Sequence, residues 1–411
     1  MKRIVLLAVS LILAGISFGQ DGKFGIKFSG FVKNDAFLDS RQTVAAREGH
    51  FLLWPSKELL DEKGEDINAK SNFNMLAIQS RMKAAISGPD AFGAKTSGVI
   101  EADFFAQAND NVNLLRMRHA FIKLNWTHLE LLAGQYWNPL FVTDCFPGTV
   151  SFNTGTPLQS FARNPQIRLS YKSGGLKITA AALSQRDYSS RGANGVSSEY
   201  LRNSSIPDMH FQAQYGGAGF VAGAGLAYKT LAPRLMSEPI PLMRYSVDEK
   251  VGGLTVIGFT KITTKPLTFK LEARYGENIA DVLAIRGFAV SSVTDITSGS
   301  QSYTPLTSMT VWGEIHTNGK VQFGVFGGVF KNLGTKEEML AGGDIYGLGT
   351  DIDALIRVSP RVVFNSNKTR IALEMEYTQA AYGNNFDVSY KPETTNVVSN
   401  LRGLVAIYYF F

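Results

Sequence analysis

Long and short connections alternate along this chain, and that rhythm constrains its fold more than any other feature of the sequence. Short turns lie at Ser173-Gly174-Gly175, at 216–219, at 263–266 and at Asn318-Gly319. The last is a two-residue hairpin signal, because a type I′ turn needs positive φ at both central positions. Between the turns run long polar connections at about 40–71, 138–164, 186–207, 229–249, 277–307, 331–347 and 382–395. A soluble sandwich has no physical reason to alternate in this way. Transmembrane barrels do so, with short turns on one side and long loops facing outward.

The segments between connections read as strands. In 24–39, Ile26, Phe28, Gly30, Val32, Ala36 and Leu38 share one face, while Lys27, Ser29, Lys33, Asp35 and Asp39 share the other. A helix would scatter those charges around its circumference; a strand gathers them on one side. In 72–87, Leu76, Ile78, Met82, Ala84 and Ile86 oppose Gln79, Arg81 and Lys83. Ile100, Ala102 and Phe104 oppose Glu101 and Asp103, and the segments around 267–275 and 370–377 repeat the pattern. Further strands fall at 114–125, 129–137, 165–172, 176–185, 208–216, 219–228, 250–262, 308–317, 320–330, 348–359 and 396–411. Two of these are irregular. In 114–125, Arg116 and Arg118 share a face with Ile122 and Leu124, which requires a bulge or a change of phase. In 219–228 small residues occupy both faces, and inside cannot be told from outside.

Sixteen segments of about 9–13 residues fit strands tilted near 45° across a thin bilayer. Lipid offers no partner for backbone N–H and C=O groups, so such a sheet must close on itself. The expected fold is therefore all-β, a transmembrane antiparallel β-barrel of about 16 strands with short periplasmic turns and long external loops. The last segment agrees: Leu401, Gly403, Val405, Ile407, Tyr409 and Phe411 share one face, and the chain ends on that aromatic. This ending resembles the C-terminal signature that barrel-assembly machinery reads, with Phe411 as its terminal residue.

The first residues read as an export signal over 1–19. Lys2 and Arg3 precede an apolar run from Ile4 to Ile16, and Ser17 and Gly19 stand at the small-x-small positions before Gln20. About 13 apolar residues are too few to span a bilayer as a helix. Residues 20–411 then form one barrel domain in the outer membrane, in contact with membrane lipid and lipopolysaccharide. Removal of the signal lowers the formal charge from +6 to +4, which gives no concentrated basic patch for nucleic acid. Cys145 is the one cysteine, so no disulfide framework exists.

Little of the sequence points to enzymatic chemistry. The nucleophile-elbow pattern Gly15-Ile16-Ser17-Phe18-Gly19 falls inside the export signal. The glycines of 217–222 match a dinucleotide fingerprint without the βαβ unit it needs. None of His50, His119, His128, His210 and His316 has metal-ligand spacing to another, and no cofactor is expected. A phospholipase-like barrel enzyme would need a serine and a histidine on adjacent strands; a closed structural or adhesion barrel would need a filled lumen. Both stay open as alternatives.

The inward phase collects charge. Lys27, Lys33, Arg81, Lys83, Arg168, Lys270 and Arg274 are basic; Asp35, Glu101, Asp103, Glu272 and Glu374 are acidic. Opposed rows of the two signs would orient dipolar solutes, and a local basic excess would attract anions. Equally, such charges can simply solvate the wall and pair across strands. The connection 138–164 carries Phe141, Phe146, Phe152 and Phe161, which a polar external loop does not need. It either folds into the lumen or forms an external contact surface. Ser56 to Leu60 is expected as a short helix in an external cap.

Several stretches are similar to a known family. Gly30-Phe31-Val32-Lys33-Asn34-Asp35-Ala36 resembles the first strand of DcaP-like trimeric porins. Arg116-Met117-Arg118-His119-Ala120-Phe121, followed by Ala133-Gly134-Gln135-Tyr136-Trp137, resembles that family's fourth and fifth strands. Ser151-Phe152-Asn153 and Arg163-Asn164-Pro165-Gln166-Ile167-Arg168 are similar to the loop and strand that follow. The resemblance covers about residues 24–172. It implies a sixteen-stranded homotrimeric porin whose third loop, 138–164, constricts the pore, with passive diffusion of small anionic solutes such as dicarboxylates. On that basis Arg116, Arg118, Arg163 and Arg168 are candidates for a basic wall, since a guanidinium is always charged and binds carboxylates in bidentate fashion.

Overall fold

The computed structural model describes residues 24–106 and 108–411, so the export-signal expectation for 1–19 lies outside the described residues. Sixteen strands make the wall: β1 (Gly25–Asp39), β2 in two parts (Asn72–Leu76 and Arg81–Ser87), β3 (Lys95–Asp103), β4 (Arg116–Asn125), β5 (Leu129–Trp137), β6 (Arg163–Ser173), β7 (Leu176–Leu183) and β8 (Asp208–Gly216). They continue as β9 (Phe220–Leu231), β10 (Val251–Thr263), β11 (Leu267–Glu277), β12 (Ser300–Thr317), β13 (Val321–Thr335), β14 (Ile352–Ser366), β15 (Thr369–Phe386) and β16 (Pro392–Phe410). Each pairs antiparallel with its neighbours, and β1 pairs with β16 from Phe31↔Phe410 to Asp39↔Arg402. Gly30 and Phe411 exchange backbone hydrogen bonds of 3.2 Å at the seam. The barrel is closed, and no strand edge is left to the lipid. Among the described residues no helix is long and apolar enough to cross a membrane.

Side-chain phase sets inside from outside. Val32, Ile122, Ile167 and Ile407 are exposed on the outer face, whereas Lys33, Asp35, Arg274 and Glu374 are buried within. In β9, exposed Leu226 and Tyr228 alternate with buried Ala227 and Lys229, which settles the face that sequence left open.

Extra residues on β2 and β4 shift the phase. Asp35 pairs with Leu76 but Phe31 with Arg81, so β2 carries five steps where β1 carries four. Leu76 and Ile78, expected on the lipid face with Met82, therefore turn inward; Ile78 is 2% exposed, while Phe73 and Met75 face out. In β4, Glu101 pairs with His119 and Ala102 with Met117, leaving Arg118 as the bulged residue. That is the phase change the sequence required, and it aims Arg116, Arg118 and His119 at one interior.

Eight loops stand on one end: L1 (40–71), L2 (104–115), L3 (138–162), L4 (184–207), L5 (232–250), L6 (278–299), L7 (336–351) and L8 (387–391). L8 is shorter than expected because the ladder of β15 and β16 runs up to Phe386↔Pro392. Beyond the membrane, polar residues such as Asn384 and Thr394 pair as readily as apolar ones. The expected helix at Ser56 to Leu60 is absent. Instead the Asp61 carboxylate accepts from the N–H groups of Lys63 and Glu65 at 2.8 and 2.9 Å, fixing a turn.

L3 packs with L1 and L6 against the inner wall. Phe141, Phe152 and Phe161 are at most 4% exposed, in one cluster with Phe51 and Trp54 of L1, Ile279 and Ile285 of L6, and Phe259 and Phe326 of the strands. Burying one phenylalanine in this way stabilises by about 1.5–3 kcal/mol. Polar anchors complete the fit. Glu374 accepts from the Val150 and Ser151 N–H groups at 2.7 and 2.9 Å, and Arg357 donates to the Thr156 carbonyl at 2.6 Å.

Candidate pore site

The inward charges do not form separate acidic and basic rows. On β2, β3 and β4, three guanidiniums share two carboxylates. Arg116 Nε lies 2.9 Å from Asp103, and Arg118 reaches Glu101 and Asp103 at 2.7 Å each. Arg81 stands further off, at 3.7 and 3.6 Å from the same pair. Across the lumen, Glu314 of β12 takes Lys270 of β11 and Arg361 of β14, each at 3.1 Å, and His316 Nδ1 at 2.8 Å. Glu314 also accepts from the Gly148 N–H of L3. Arg370 on β15 has no carboxylate partner among the described residues. Its guanidinium donates to the Asn365 side chain at 2.8 Å and lies over the rings of Tyr408 and Phe410.

These two clusters face a space of about 530 Å³. Arg81, Arg118, Lys270, Arg361 and Arg370 border it, together with His316, the Phe31–Tyr408–Phe410 aromatic group and residues 146–152 of L3. No aspartate or glutamate borders it among the described residues. The carboxylates lie behind the cations, fixing them in place without reaching the open space.

Three of the fifteen charged residues singled out in the sequence, Arg81, Arg118 and Lys270, reach this space. Lys33 is buried against Asp35 at 2.9 Å and donates to the Val150 carbonyl; Asp35 also meets His50 at 2.8 Å. Glu101 and Asp103 serve the arginines, and Arg116 is 7% exposed between Asp103 and Asp187. Arg163 makes a two-nitrogen contact with Asp187 of L4, at 2.9 and 2.6 Å. Burial works against the charge of Asp187, but Arg163 and Arg116 hold its carboxyl below the usual range. Arg168 donates to Gln166 and to the Trp137 carbonyl. Glu272 accepts from Trp312, and Arg274 donates to Ser160 and Pro157 of L3. Lys27 and Lys83 lie toward the short-turn end, without an ion pair among the described residues.

Arg361, Arg370 and Glu314 escaped the sequence reading. Arg370 and Glu314 stand in alternating segments with no local mark of a role, and Arg361 lies just past the expected end of its strand at 359. Cys145 is buried in L3, its thiol donating to the Thr260 carbonyl at 3.2 Å. No group of three or more His, Cys, Asp or Glu residues is placed to hold a metal ion among the described residues.

No protein-family model matches the chain, and no curated protein matches it in sequence. Solved structures do. The outer-membrane channel DcaP of Acinetobacter baumannii aligns over 96% of this chain and 99% of its own, with a TM-score of 0.69 at 17% identity. An anion-selective porin from Comamonas acidovorans covers 95% of this chain and 100% of its own, at a TM-score of 0.56 and 10% identity. OmpT of Vibrio cholerae, in its trimer form, covers the same shares at 0.54 and 9%. The likeness to DcaP agrees with the resemblance carried by residues 24–172. A closed sixteen-stranded wall, long loops at one end and a third loop packed within make this chain a barrel of the outer-membrane porin fold.

Proposed function

We propose that this protein is an outer-membrane porin through which small hydrophilic solutes diffuse passively, with a preference for small anions such as dicarboxylates. One observation carries the reading: the space beside L3 is bordered by five fixed cations and by no carboxylate among the described residues. A solute crossing there exchanges part of its hydration for guanidinium donors, which suits a carboxylate and repels a cation. L3, the segment 138–164 of the sequence reading, is the constriction. Arg81, Arg118, Lys270, Arg361 and Arg370 are the selective residues; Glu101, Asp103 and Glu314 hold cations of this set, and Lys33, Arg274 and Glu374 hold the loop. The DcaP channel supports the channel reading, the anion-selective Comamonas porin supports the anion preference, and the trimer form of OmpT supports three barrels per assembly. Residues 1–19 act as the cleaved export signal, and the strand ending at Phe411 engages the assembly machinery.

Planar-bilayer recording of the purified protein under a potassium chloride gradient tests this. The expected result is ion-conducting pores with a reversal potential on the chloride side. A potential on the potassium side removes the anion preference and keeps the porin. Negligible conductance replaces the porin by one of two readings. Lipid hydrolysis that is lost with a serine and a histidine marks a barrel enzyme; none marks a closed structural barrel.

A further inference from the structure

The short-turn end of the lumen carries a second concentration of cations, apart from the selective set. Register fixes their phase. Lys27 follows Lys33 and Asp35 inward on β1, Lys95 follows Glu101 and Asp103 on β3, and Lys172 follows Arg168 on β6. Lys123 on β4, Lys177 on β7 and Lys261 on β10 face inward too, since Ile122, Leu176 and Ile262 beside them are exposed on the outer face. Over the last three residues of each strand at this end, Glu130 of β5 is the one inward carboxylate among the described residues. The turns beyond add Lys265, Lys320 and Lys368 against Asp90.

Four of these lysines gather on β3–β7. Lys123 and Lys172 share Glu130, at 3.4 and 2.8 Å. Lys177 stands directly opposite Lys172 on the β6–β7 ladder. Lys95 lies diagonally from Lys123, because Lys123 pairs with Ser97 and Lys95 with Asn125. Lys177 also borders the gap between L3 and the wall, with Arg168, Gln214 and Asp144, whose carboxylate accepts from the Gln214 amide at 2.9 Å. In this group five cations, Arg168 included, stand against two carboxylates, which leaves an excess of three positive charges.

A wall that merely needed wetting would alternate its signs, since like charges directly opposite on a ladder destabilise it. Here Lys172 faces Lys177, and Lys261 faces Lys270. These ammoniums also differ from the guanidiniums above them. Arg118 and Arg361 are held by carboxylates, whereas Lys95 and Lys172 are exposed on flexible stems. Mobile, hydrated point charges suit a ligand that brings several negative charges at once, and lysine binds phosphate in that way. The loop end leans the other way: L7 sets Glu337, Glu338, Asp344 and Asp351 against Lys336.

We propose that the lysines of β3–β7 form a binding site for polyvalent phosphorylated anions at the periplasmic mouth, and that its occupancy blocks the smaller anions crossing beside L3. The inference rests on the anion-porin reading above and adds a ligand and a side to it. From the periplasm the site is reached directly. From the loop side a polyanion must first pass the constriction, so the block is one-sided.

Single pores of the full-length protein in a planar bilayer test this, with inorganic tripolyphosphate added to one chamber at a time. Leu242, 87% exposed on L5, is replaced by cysteine and biotinylated, Cys145 being buried; streptavidin then marks the loop side of each pore. Half-block from the short-turn side is expected at about tenfold lower concentration than from the loop side. K172Q/K177Q raises the short-turn value about tenfold and so removes the asymmetry, whereas K172R/K177R, which keeps the charge, keeps the block. Equal block from both sides, a short-turn block unchanged in K172Q/K177Q, or a block lost equally in K172R/K177R overturns the site. Monophosphate as effective as tripolyphosphate overturns its polyvalent ligand. Absent conductance, or pores that prefer potassium, overturns instead the reading on which the site rests.

Discussion

Arg361 reaches Glu314 across an intervening strand, bringing a guanidinium nitrogen to 3.1 Å from the carboxylate. The strand crossed is β13, and the residue beneath the guanidinium is Gly324. A Cβ there would stand 2.8 Å from Arg361 Cζ and 3.0 Å from Nη2, so the crossing depends on a bare backbone. The added methyl would also meet His316 Cβ at 3.0 Å, so Gly324→Ala should push the guanidinium, the end of a flexible side chain, off Glu314 and cost some stability at the β12–β13 ladder. The expected readout is a folded barrel of normal heat-modified mobility whose reversal potential moves toward the potassium side. An unchanged potential would remove Arg361 from the selective set.

Arg370 gives a cleaner measure of charge. It is held by Asn365 and two aromatic rings, and among the described residues no carboxylate is orphaned by its loss. A unit charge roughly 8 Å from an ion in water is worth about 0.5 kcal/mol. The anion loses that attraction and the cation loses the same repulsion, so Arg370→Gln should lower the anion-to-cation permeability ratio about fivefold and leave thermal stability nearly unchanged.

L3 can be interrogated through its one thiol. Burial pushes Cys145 up to about 12, and its Sγ lies against the Thr260 and Leu271 carbonyls of the wall. In the folded protein a maleimide should react only slowly, and after heat denaturation rapidly. Glu374→Ala leaves the Val150 and Ser151 N–H groups without their acceptor, at about 1–3 kcal/mol each. Labelling of Cys145 should rise at least about tenfold, with larger and noisier single-channel currents. Rapid labelling of the wild type would mean that L3 is not packed on the wall.

The strands were legible because lipid outside and charge inside impose a period of two that nothing else in the sequence mimics. Phase was less so. Leu76, Ile78 and Met82 alternate without a break, and the extra residue between them shows only when Asp35↔Leu76 and Phe31↔Arg81 are read together. The irregularity at Arg116 and Arg118 was visible because charge and Ile122 compete for one face. Roles within the lumen were the least legible. Lys33, Arg274 and Glu374 share the inward phase of Arg81, yet they bind the backbone of L3. Only contacts between residues more than a hundred positions apart separate a residue that faces the solute from one that holds the loop.

Asp187 links the external loops to the arginine cluster and gives a pH dependence of known sign. Its carboxyl is held below the usual range, against the effect of burial, by Arg163 and Arg116. A depressed carboxylate contributes stability that is complete above its unfolded pKa of about 3.9 and is lost as pH falls through the lower folded value. The thermal midpoint of the wild-type barrel should accordingly hold from neutral pH to about 4 and drop below it. Asp187→Asn should remove most of this acid step and lower the midpoint at neutral pH, since breaking a buried pair by removing one partner costs about 3–5 kcal/mol. Arg163, 1% exposed, would be left with its Asp187 contacts gone. A variant as stable as the wild type at pH 7 would show that water reaches the cluster from the loop side and screens it.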